Sequence, residues 1–143
     1  MTAWRRALAA PIAAFALLLS ATVALTGHAR AAEVQTVEVA GVTAWLSADR
    51  AVPVVAIAFR IEGGAATDPA ALQGRARLLA DLLTEGAGDL DASAFKKRLA
   101  DLSATIEFDA GQDAISGSLY TLSANLAAAA DLLGLALTAP HFD

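Results

Sequence analysis

The spacing of apolar and polar residues changes period several times along this chain, and each change marks an element. Val34 to Val39 and Val42 to Ser47 alternate as two short strands, with Ala40-Gly41 as the turn between them. Val52 to Ile61 is an almost unbroken apolar run, too rich in β-branched residues for a comfortable helix. It predicts a central strand covered on both faces, ended by Gly63-Gly64.

From Ala70 to Glu85 the period becomes helical. Leu72, Ala76, Leu79 and Leu83 stack on one face with Leu78 and Leu82 beside them, and Gln73, Arg77, Asp81 and Glu85 fall opposite. Gly86 stands where a left-handed cap is expected. Asp91 has the chemistry of an N-cap for a second helix, and Leu90 and Phe95 have the spacing of a hydrophobic staple. Phe95, Leu99 and Leu102 mark the buried face of that helix, while Lys96, Lys97 and Arg98 face water.

Strict alternation returns in Ala104, Ile106, Phe108 and Ala110 against Thr105, Glu107 and Asp109. Gly111-Gln112 then turns the chain into a returning strand from Asp113 to Thr121, giving a hairpin with one dry face. A last helix is predicted over Ser123 to Thr138, with Leu126, Ala130, Leu133 and Leu137 as its stripe and Pro140 beyond its end. The order β-β-β-α-α-β-β-α predicts an α+β fold: a mixed, largely antiparallel sheet with helices packed on one face.

The first residues follow a different logic. Arg5 and Arg6 precede a run from Ala7 to Ala29 without a formal charge, and Ala29-Arg30-Ala31 has the small-x-small pattern of a cleavage point. Residues 1–31 therefore read as a signal peptide cut near Ala31-Ala32, which sends the rest to a periplasm or another exported location. An uncleaved anchor is the alternative, since about 20 apolar residues suffice to span a bilayer. Residues 32–143 form the second segment, expected to be part of one domain.

The 143 residues carry 10 Lys and Arg against 15 Asp and Glu, a net charge of -5. Without residues 1–31, Arg5, Arg6 and Arg30 are gone, and 7 basic residues face 15 acidic ones. Such a chain lacks the basic footprint of a nucleic-acid binder. There is no cysteine, so thiolate catalysis, disulfides and Cys-based metal sites are excluded. Of the two histidines, His28 lies in the signal segment, leaving His141.

Glu85-Gly86-Ala87-Gly88 follows a predicted helix, whereas a phosphate-cradling loop follows a strand and opens one. Serines 93, 103, 116, 118 and 123 have only His141 to activate them, and none lies in a strand-turn-helix elbow. The carboxylates show no local pairing that separates an acid/base couple from solvated surface acids.

One stretch carries more information: Gly74-Arg75-Ala76-Arg77-Leu78-Leu79-Ala80-Asp81-Leu82-Leu83. With the opening strand pair, the apolar strand ending in Gly-Gly, the Asp68-Pro69 step, the second helix, the hairpin and the closing Ala-Pro-His-Phe, it resembles the N-terminal domain of the insulinase-type zinc metallopeptidases. This family includes pitrilysin and the processing peptidases. The resemblance implies their metallohydrolase-like fold, incomplete in this chain.

In active members the corresponding helix carries H-x-x-E-H, two zinc-binding histidines one helical turn apart and a glutamate that activates water. In the register that the resemblance implies, Arg77 stands at the first histidine, Ala80 at the glutamate and Asp81 at the second histidine. Guanidinium has no lone pair to give a metal, and a methyl group accepts no proton. His141 does not restore such a set. The expectation is no catalytic residue, no metal ligand and no cofactor in this chain, with Arg77 and Asp81 on a solvated helix face and able to form an i,i+4 ion pair, in the less favourable orientation, worth at most about 0.3–0.5 kcal/mol.

The resemblance further implies a non-catalytic exported subunit, inactive alone, that forms a heterodimer with a zinc-bearing homologue and helps to enclose peptide substrates. Two other functions stay open on the sequence: a periplasmic binding or scaffold domain, and an active metalloprotease with an unrecognised site.

Overall fold

A computed structural model describes residues 33–142. The expected signal segment, residues 1–31, and its expected cleavage point lie outside the described residues. The chain divides into two compact units with the boundary between Asp49 and Arg50.

In the first unit, β1 (Val34–Val39) and β2 (Val42–Ser47) form an antiparallel two-stranded sheet, with Val39 opposite Val42 and Val34 opposite Ser47. Ala40 and Gly41 both have positive φ, 52° and 80°. That pair of dihedrals is what a two-residue hairpin turn matched to strand twist requires. The predicted hairpin is present with the predicted bounds.

The second unit holds a three-stranded sheet of β3 (Val54–Glu62), β4 (Thr105–Ala110) and β5 (Ala114–Leu122), in the order β3-β5-β4. Every strand pair among the described residues is antiparallel. The helices are α1 (Arg75–Leu82), α2 (Ala92–Asp101) and α3 (Leu126–Thr138). The element order is the one the periodicity predicts.

Register and burial show which face of the sheet is dry. Ile57, Leu119 and Ile106 lie in one row, and Phe59, Gly117 and Phe108 in the next. These rows join Phe95 and Leu102 of the second helical segment, and Ala129, Leu132, Leu133 and Ala136 of α3, in one core. Phe95, Leu119, Ala129 and Ala136 are fully buried. The Phe59 and Phe108 rings meet edge to face at 6.2 Å across the row that holds Gly117. A Cβ on Gly117 would lie 2.2 Å from the Phe59 ring, so only glycine admits the pair. The opposite face carries Val54, Ala56, Ala58, Tyr120 and Leu122, all exposed.

This arrangement corrects the expectation for β3. It is an edge strand, and the central strand is β5. Apolar character on both sides of the Val52–Ile61 run suggested burial on both sides. The outward positions Ala56 and Ala58 are apolar but small, so leaving them exposed costs little.

The helical stripes also shift. The stretch from Ala70 is not one helix: a 3-10 turn spans Ala70–Leu72, Gly74 adopts a left-handed conformation at φ 92°, and only then does α1 begin. Its buried residues are Ala76 and Ala80, with Leu83 just beyond, while Leu72, Leu78 and Leu79 are exposed. In α3 the buried set is Ala129, Leu132, Leu133 and Ala136, with Ala130 and Leu137 outward. α3 is apolar around most of its circumference, and in α1 leucines flank the buried alanines, so periodicity alone left the buried face undefined by about one position.

In α2 the expectations hold. The Asp91 carboxylate accepts a 2.8 Å hydrogen bond from the Ala94 N–H, and Phe95 is buried with Leu99 packed against the same core. At its far end, Asn125 Nδ2 and Thr121 Oγ1 both donate to the Leu102 carbonyl, at 2.9 and 3.3 Å. These bonds use an acceptor that the end of a helix leaves open.

Gly86 does have positive φ, 150°, but α1 ends at Leu82, so it serves a loop and not a helix cap. That loop is held by the last described residues. Gly88 N–H donates to the Ala139 carbonyl at 2.8 Å, and His141 N–H donates to the Gly86 carbonyl at 2.9 Å.

Candidate functional site

The helix singled out by the sequence is fixed at its start by a residue seven positions before its first one, Arg75. Asp68 is buried, with no side-chain exposure, and its two carboxylate oxygens accept from the backbone N–H of Gly74 at 2.9 Å and of Ala76 at 3.0 Å. Open N–H groups at a helix start need such acceptors, and a negative charge there also suits the helix dipole. Arg75 Nε stands 3.7 Å from the same carboxylate.

The segment carrying Asp68 is itself clamped to the β4–β5 turn. Gly63, Ala65 and Ala66 donate their N–H groups to the carbonyls of Asp113, Gly111 and Gln112 at 2.8–2.9 Å. A Cβ on Gly64 would meet the Gly111 carbonyl oxygen at 2.2 Å, so the close approach depends on the second glycine of the pair. The Gly-Gly that ends β3 thus seats the turn, the turn fixes Asp68, and Asp68 starts α1.

From that start, α1 runs alongside β4 and presents the three positions of interest on different sides. Ala80 faces inward and is 2% exposed. Arg77 and Asp81 face outward, with side chains 61% and 56% exposed, and form the expected i,i+4 pair at 3.3 Å. Arg77 also reaches β4, donating from Nη1 to Oδ1 of Asp109 at 2.8 Å. The guanidinium is therefore shared between two carboxylates.

His141 is held elsewhere, against Gly86 beyond the C-terminal end of α1. Among the described residues, no group of three or more histidines and carboxylates is gathered to hold a metal ion. The donor set at positions 77, 80 and 81 does not fit zinc. Arg77 offers no lone pair, Ala80 offers nothing, and the Asp81 carboxylate already receives an Arg77 N–H at 3.4 Å. Also among the described residues, no helix is long and apolar enough to cross a membrane.

Two residues that matter here escaped the sequence reading. Asp109 looked like one more outward acid of an alternating strand, and its pairing with Arg77 depends on α1 lying beside β4. Asp68 is of a capping residue type, but it lies too far from the N–H groups it serves for a local pattern to reveal it.

No protein-family model and no curated protein matches this sequence. Solved structures do. The chain is similar to the crystal structure of a peptidase M16 inactive domain from Pseudomonas fluorescens, with 27% identity and a TM-score of 0.71 over 78% of this chain. The fold is M16-like. Pitrilysin shows the same fold, with 22% identity and a TM-score of 0.66 over 81% of this chain. These likenesses support a relation to the insulinase-type, or M16, peptidases. This chain covers 27% of the length of the first structure and 13% of the second.

Proposed function

We propose that this chain is a non-catalytic member of the insulinase-type peptidases that acts by pairing with a zinc-bearing H-x-x-E-H homologue and helping to enclose its peptide substrates. The observation that carries this reading is the state of α1. In the register that the family resemblance implies, α1 holds Arg77, tied to Asp81 and Asp109, and a buried Ala80 at the positions where zinc chemistry needs two imidazoles and a carboxylate. Similarity to a chain described as an inactive M16 domain supports it.

In the same reading, residues 1–31 are a cleaved export signal, and residues 32–143 contribute part of the N-terminal peptidase domain of a periplasmic subunit. Zinc belongs to the partner. Peptide hydrolysis by the full-length gene product tests this, alone and mixed with an H-x-x-E-H homologue from the same cells. Hydrolysis only in the mixture, with zinc in the partner, is the expected result. Stoichiometric zinc and chelator-sensitive hydrolysis by this chain alone would overturn the proposal.

A further inference from the structure

We draw no further inference here: the strongest candidate, the uncovered face of the three-stranded sheet with Val54, Ala56, Ala58, Tyr120 and Leu122 exposed, carries nothing because nothing in the structure shows what covers it.

Discussion

Arg77 on α1 donates a 2.8 Å hydrogen bond to Asp109 on β4, so a helix and a strand are joined by an ion pair between residues 32 apart in sequence. Both side chains are more than half exposed, at 61% and 69%. Exposed pairs of this kind contribute about 0.2–1 kcal/mol. A double-mutant cycle of Arg77→Ala and Asp109→Ala in the full-length protein should return a coupling energy in that range. It should shrink further in high salt, because exposed charges are screened. A coupling of several kcal/mol in urea unfolding would show that this contact is far stronger than its exposure implies.

Asp68 should matter much more than the charges around Arg77. Its buried carboxylate satisfies two backbone donors at once, so Asp68→Ala leaves both without their acceptor. The expected loss is about 1–3 kcal/mol. Asp68→Asn should recover only part of it, because one amide oxygen replaces two carboxylate oxygens and the NH2 group cannot accept. Arg75→Ala, which removes the exposed 3.7 Å partner of Asp68 and an exposed 3.3 Å hydrogen bond to the Thr67 carbonyl, should change the urea midpoint little.

Three glycines separate crowding from backbone strain. In Gly64→Ala the new methyl meets backbone atoms of the β4–β5 turn, which cannot rotate away. In Gly117→Ala it meets the Phe59 ring. Each should cost about 1–3 kcal/mol. The Gly117→Ala cost should fall when Phe59 is also reduced to Leu, whereas the Gly64→Ala cost should not. Gly74→Ala has open space around it, and its cost of about 1–2 kcal/mol should come from the positive φ alone. Equal costs for Gly117→Ala in both backgrounds would dissociate the glycine from the aromatic pair.

Single residues of the H-x-x-E-H motif introduced at positions 77 and 80 should not create a zinc site. Arg77→His places one imidazole beside Asp81 on an exposed surface, too few donors for a zinc site. Ala80→Glu should destabilise by about 1–3 kcal/mol, since position 80 is 2% exposed and has no room for a carboxylate without rearrangement. Zinc content after dialysis and urea midpoints check both statements. Tight zinc binding by either single variant would mean that α1 retains a nearly complete site.

Residues 32–143 expressed alone should associate. Leu72 and Leu78 are 57% and 59% exposed on and beside α1, and β3 has an unpaired outer edge in its sheet. Exposed apolar side chains and free strand edges are the usual routes to self-association. Size-exclusion chromatography should show heterogeneous, concentration-dependent species, reduced by Leu72→Gln together with Leu78→Gln. A monodisperse monomer would contradict this expectation.

Period changes, turn residues and the Asp91 cap were enough to place every strand and helix in order, because those signals act over a few neighbouring residues. That Arg77 offers a metal no lone pair and Ala80 no proton acceptor was equally legible, since both follow from the side chains in any fold. Three matters were settled only by the assembled structure: β3 lies at an edge, the buried faces of α1 and α3 keep Ala76, Leu83 and Leu133 but are turned by about one position from the predicted stripes, and Asp68 and Asp109 are the residues that hold α1. Each depends on which elements pack together across the sheet. An apolar run reads the same whether a neighbour covers it or not, and a carboxylate reads the same whether it caps a helix, holds a guanidinium or faces water.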